Sequence, residues 1–132
     1  MSDDPILDLA TALARAALEK KALDVVILDL RGLVDFADFF VLATANNPRQ
    51  VRAIADSVKL TAKHDFDTMP VGSEGQASGR WVLCDFGDIV VHVFDSDMRG
   101  FYDLDGLWRD APRIDPPKVE TDDLPEPFFT LG

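Results

Sequence analysis

The run Arg80 to Phe94, RWVLCDFGDIVVHVF, constrains this chain more than any other segment. Two β-rich stretches flank Gly87-Asp88, a pair suited to the two-residue turn of an antiparallel hairpin. Side chains alternate along a strand, so Trp81, Leu83 and Asp85 share one face, and Val82, Cys84 and Phe86 the other. A turn of even length sets Val90, His92 and Phe94 beside the first group and Ile89, Val91 and Val93 beside the second. The second face is wholly apolar and belongs in a core. The first mixes Trp, His, Phe and Asp, a composition closer to a binding surface. A turn of three residues would scramble this pairing, so the inference rests on the turn.

The rest of the chain supplies partners for such a hairpin. Asp4-Pro5 reads as a cap followed by Pro at the first helical position, and Ile6, Leu9, Ala10, Leu13, Ala16 and Ala17 recur at helical spacing. Asp24–Leu30 and Asp38–Thr44 read as buried strands. Asn47-Pro48-Arg49-Gln50 opens a second helix in the manner of a capping box, with Val51, Ile54, Ala55, Val58 and Ala62 as its buried stripe. His64–Val71 predicts a short, poorly patterned strand, and Gly72–Gly79 a loop. Asp95–Asp110 predicts a helical turn or short helix with an aromatic end, and the acidic, Pro-rich stretch 112–132 a disordered tail. This order predicts one α/β (α+β) domain over 1–111, with a mixed sheet of about five strands and helices on one face. The opposite face is expected to stay open, with Trp81, His92 and Phe94 on it.

The formal net charge of −11 argues against direct binding to phosphate backbones and suits a basic protein partner. No run reaches the length of a membrane span, the N-terminus lacks the pattern of a signal peptide, and Cys84 is the only cysteine. These features predict a soluble cytoplasmic protein.

The chain carries no convincing catalytic set. The hairpin places Cys84 and His92 on opposite faces, against a Cys–His pair. Two histidines and one cysteine make no zinc signature. Asp65/Asp67, Asp95/Asp97 and Asp103/Asp105 have the D-x-D spacing that could hold Mg²⁺, but each lies near a helix end or loop, where Asp serves as a cap. No catalytic, metal or cofactor site is expected. Tyr102, Leu107 and Trp108 form an aromatic cluster that either seals the sheet edge or anchors a partner. Arg49, which capping leaves unexplained, is either a surface residue or a partner contact.

The residues resemble the ribosomal silencing factor (RsfS, Iojap-like) family over about residues 5 to 110. The resemblance rests on Lys21–Leu30, Ala37-Asp38-Phe39-Phe40-Val41, Arg49-Gln50-Val51 with Ile54-Ala55-Asp56, Glu74-Gly75, Trp81-Val82-Leu83, Asp85–Phe94, and Arg99 with Phe101-Tyr102, Leu104 and Leu107-Trp108. It implies a nucleotidyltransferase-like topology without that family's chemistry. It also implies binding to the large ribosomal subunit through its protein fourteen, a steric block to subunit joining when nutrients are scarce, and a capacity to form homodimers. Trp81, Asp85, His92 and Phe94 are the expected contact residues, supported or extended by Tyr102, Leu107 and Trp108. The rival implication is a Mg²⁺-dependent nucleotidyltransferase. The stretch Thr44–Pro48 departs from the family, which often carries Gly then Ser there.

Overall fold

The computed structural model describes residues 3–119. Helix α1 (Pro5–Glu19) starts where the Asp4 carboxylate accepts a hydrogen bond from the Leu7 amide at 3.1 Å. Strand β1 (Leu23–Asp29) and strand β2 (Phe39–Ala45) follow, joined by an irregular loop. Helix α2 (Pro48–Phe66) is capped by Asn47, whose side chain accepts from the Gln50 amide at 2.8 Å. The Gln50 side chain returns the favour at the Asn46 amide, also at 2.8 Å, and its own amide donates to the carbonyls of Lys20 and Lys21. One glutamine thus ties the start of α2 to the end of α1. Strand β3 (Gly72–Glu74) precedes the hairpin of β4 (Trp81–Asp85) and β5 (Ile89–Asp95). Two short helices, α3 (Ser96–Tyr102) and α4 (Leu104–Leu107), lead to β6 (Arg113–Ile114).

The six strands form one mixed sheet in the order β3-β4-β5-β2-β1-β6. Only β2 and β5 run parallel, in register from Phe39 opposite Ile89 to Ala45 opposite Asp95. They form the centre of the sheet, and all seven residues of β2 are buried. One face packs on α1 and α2: Leu13, Ile54 and Val58 meet Ile27, Val41, Val82 and Val91 in the larger core cluster. The other face carries a second cluster built from Leu28, Phe40, Leu42 and Phe94, with Met98, Leu104 and Trp108 packed against it.

The hairpin pairs as its alternation predicts. Trp81 lies opposite Phe94, Leu83 opposite His92 and Asp85 opposite Val90. Gly87, at φ +90°, occupies the turn, where a side chain would be strained. Three expectations need correction. The second sheet face is not open, because α3, α4 and Ala111 fold back over it; His92 is 5% and Phe94 0% exposed. The weak strand expected over 64–71 is absent: α2 runs on to Phe66 and stops at Asp67 in the left-handed conformation, φ 50°. The strand forms instead inside the expected loop, where Gly72–Glu74 find free partners on β4. Finally, ordered structure passes residue 111, since β6 pairs with β1 through Ile114 and Arg113 and makes a sixth strand. The remainder of the expected tail, 120–132, lies outside the described residues. No helix among the described residues is long and apolar enough to cross a membrane.

Candidate partner-binding surface

Seven aromatic rings run across the second sheet face in an unbroken line of contacts. Phe101 meets Tyr102 at 5.0 Å between centroids, and Tyr102 meets Trp81 at 4.7 Å. Trp81 meets His92 at 5.9 Å, and His92 lies 4.6 Å from Phe40, edge to face. Phe40 meets Trp108 at 6.0 Å, and Trp108 meets Phe36 at 6.1 Å. Such offset and edge contacts add to simple burial and stiffen the row. Phe94 lies beneath it, 5.4 Å from Trp81. The middle of the row is buried and its ends emerge: Phe101 is 79% exposed, while Tyr102 and Phe36 also reach solvent. Leu107 projects from α4 beside Trp108 and is 68% exposed.

The expected contact residues therefore divide by depth. Trp81 and Trp108 are half-buried, Tyr102 and Leu107 exposed, and Asp85 half-exposed in the hairpin, where its carboxylate accepts from the Gly87 amide at 2.8 Å. His92 and Phe94 lie below the surface, where they hold the rings above them and touch no solvent-side partner. Leu83 shares the Trp81 face as its alternation predicts, Phe101 stands beside Tyr102, and Phe36, which no sequence expectation named, also reaches this face. Phe36 stands in a loop with no periodicity to mark it; an isolated Phe among loop residues was its only signal.

His92 sets the geometry of the row. The Trp81 indole Nε1–H donates to His92 Nδ1 at 3.2 Å, so the imidazole is neutral with its proton on Nε2. Burial lowers its pKa from 6.5 to about 4, which keeps it neutral through the physiological range. Nε2 is buried and has no hydrogen-bond partner among the described residues.

Beside Trp81, a groove of about 350 Å³ is lined by Glu74, Gly75, Trp81 and Leu83. Gly75, at φ +93°, lets its backbone lie close against β4: a Cβ there would fall 1.9 Å from the Trp81 carbonyl oxygen. Glu74 at its rim and Asp85 on the same sheet face give the surface acidic borders.

The segment covering the face is held by Arg99, whose guanidinium is 12% exposed. It donates to both Asp105 oxygens, at 3.0 and 2.9 Å, and to Thr44 Oγ1 at 2.9 Å. The Asp24 carbonyl accepts a further bond from it. Arg113 adds a 3.2 Å bond to Asp105. Hydrogen bonds from Arg99 first, and its charge, hold the Asp105 carboxyl below the usual range. These residues line a cleft of about 490 Å³ at the carboxyl ends of β2 and β5.

At least one member of each D-x-D pair serves the fold. Asp95 caps α3 through the Met98 amide at 2.8 Å and receives Arg80 at 3.1 Å. Asp103 caps α4 through the Gly106 amide at 3.0 Å, Asp105 engages Arg99, and Asp67 ends α2. No cluster of three or more metal-ligating side chains occurs among the described residues. Cys84 is fully buried on the other face from His92, with its thiol pushed up by burial.

Comparison with known proteins bears on what this arrangement serves. Residues 3–128 match the family described as "Ribosomal silencing factor during starvation". A ribosomal silencing factor from Halalkalibacterium halodurans is 42% identical over 115 residues, covering 87% of this chain and 95% of that protein. Its counterpart from Bacillus subtilis is 42% identical over 116 residues, covering 87% and 94%. The crystal structure of a Chromobacterium violaceum protein superposes with a TM-score of 0.76 at 35% identity, covering 87% of this chain and 90% of that one. Fold and relatives thus define the class, a regulatory factor associated with the ribosome. The chain belongs to the ribosomal silencing factor family.

Proposed function

We propose that this chain represses translation by binding the large ribosomal subunit through its basic protein fourteen and standing where the small subunit must dock. The single observation that carries the contact surface is the continuous aromatic row, rigid in its buried middle and exposed at Tyr102, Phe101 and Phe36. Preorganised aromatic anchors lose little side-chain entropy on binding. Trp81, Asp85, Tyr102 and Leu107 make the contact. His92, Phe94 and Trp108 support it from below. Asp85 and Glu74 offer carboxylates to Lys or Arg on a basic partner. No chemical step is needed: a bound domain acts by its volume, and a nanomolar complex corresponds to roughly −12 kcal/mol.

The test is titration of Trp81→Ala, Tyr102→Ala and Leu107→Ala against purified protein fourteen. Each truncated anchor should weaken binding by about 2 kcal/mol, near thirtyfold. If all three variants stay folded and bind as the parent does, the surface is wrongly placed. Concentration-dependent mass of the free chain, with Trp81 concealed, would assign the same surface to a homodimer instead.

A further inference from the structure

The net charge of −11 is unevenly held. The helical layer, residues 5–21 and 48–66, carries Arg15, Lys20, Lys21, Arg49, Arg52, Lys59 and Lys63 against Asp8, Glu19, Asp56 and Asp65, a net +3. The other described residues carry sixteen acids and six bases, a net −10. Four of the six bases in the acidic part are ion-paired, and Arg109 and Lys118 are not, among the described residues. Arg31, Arg80, Arg99 and Arg113, in the acidic part, are all committed to carboxylates at 2.6–3.2 Å. In the helical layer Arg15 lies 3.9 Å from Glu19, and Arg49, Lys59 and Lys63 have no ion-pair partner among the described residues.

The geometry gathers these cations. Arg49, Arg52, Lys59 and Lys63 recur at helical spacing on the side of α2 away from its buried stripe, interrupted only by Asp56. The ridge is about 21 Å long at 1.5 Å per residue. The Gln50 amide, bonded to the Lys20 and Lys21 carbonyls at 3.2 and 3.1 Å, sets the end of α1 beside Arg49. The Arg52 guanidinium donates to the Gln76 and Ala77 carbonyls at 3.0 Å, which sets the ridge against the connection between β3 and β4.

We infer that the α1–α2 layer is a second contact surface, and that it takes the phosphate backbone of RNA. RNA is the polyanion within reach of a ribosome-associated factor, and cations left free of internal carboxylates are the ones able to release counterions from phosphates. This inference extends the ribosome-binding reading, and it revises the expectation from net charge that the chain avoids nucleic-acid backbones. With the aromatic row on a ribosomal protein and the helical ridge on ribosomal RNA, the domain is held from two sides.

The test compares the full chain with an Arg49→Glu/Lys59→Gln/Lys63→Gln variant. An acid near the start of α2 suits the helix dipole, so folding should survive, as circular dichroism would check. The first probe is an RNA duplex two turns long. The parent should bind at low salt, with log affinity falling linearly in log salt. The variant should bind at least tenfold more weakly, with a slope shallower by about 2.7. Should the triple variant fail to fold, Lys59→Gln/Lys63→Gln should still lower the slope by about 1.8. Binding to large subunits should lose salt dependence likewise, while affinity for isolated protein fourteen stays unchanged. No duplex binding by the parent at low salt, an unchanged slope in the variants, or capture by phosphatidylserine vesicles in place of the duplex would overturn the inference. Failure of the parent to bind protein fourteen would sink the preceding reading alone.

Discussion

Removing the titration of His92 should make the protein markedly less sensitive to acid. The buried imidazole titrates at about 4 in the folded chain, against 6.5 unfolded, because burial opposes its charge. Between these values the unfolded chain takes up a proton that the folded chain refuses. Protonation therefore favours unfolding: stability is full above 6.5, falls as pH drops through 6.5, and stops falling from this source below about 4. Between about pH 7.5 and about pH 4.5, linkage makes the loss about 2.5 kcal/mol from this one ring. His92→Gln keeps an acceptor for the Trp81 indole and removes the titration. Urea unfolding of parent and variant at both pH values gives the comparison, and carboxylates that titrate in this range cancel in the difference. The variant should lose about 2.5 kcal/mol less than the parent on acidification. Equal losses would refute a neutral, buried His92 as the support of the aromatic row.

Three further outcomes are expected. Asp105→Asn leaves a largely buried Arg99 guanidinium without its carboxylate and should cost about 2–3 kcal/mol in denaturant unfolding. Because Asp105 is held below its ordinary value, its contribution is present at neutral pH and disappears as pH falls through the folded pKa, a loss the variant should lack. Gly75→Ala places a Cβ 1.9 Å from the Trp81 carbonyl oxygen at φ +93° and should cost at least about 2 kcal/mol, read as a lowered melting temperature. Phe101→Ser should leave stability within about 0.5 kcal/mol, since the ring is largely exposed, yet reduce affinity for the large subunit.

The hairpin was legible because strand alternation has a period of two and the turn at Gly87-Asp88 has the two-residue length that Gly-Asp suggested; Trp81, His92 and Phe94 do share a face. Both long helices were legible from their caps, with Asp4 and Asn47 accepting the expected amides. Depth was not legible. His92 and Phe94 are buried by α3 and α4, seven and four residues long, whose placement depends on the Arg99–Asp105 pair and on Arg99 reaching Thr44 across the sheet. No local pattern announces a contact between residues so far apart in sequence. The strand Gly72–Glu74 escaped because glycine and serine look like a loop until β4 offers a partner. Charge distribution was also hidden: net charge is a sum over the chain, and the helical layer carries a net +3 within a total of −11.

The most direct test of ribosome silencing is co-sedimentation with purified large and small ribosomal subunits, followed by a subunit-joining assay. Selective binding to the large subunit, with joining reduced in proportion to occupancy, is the expected result. Absence of binding to the large subunit at low and moderate salt, or binding that leaves joining intact, would contradict a steric repressor.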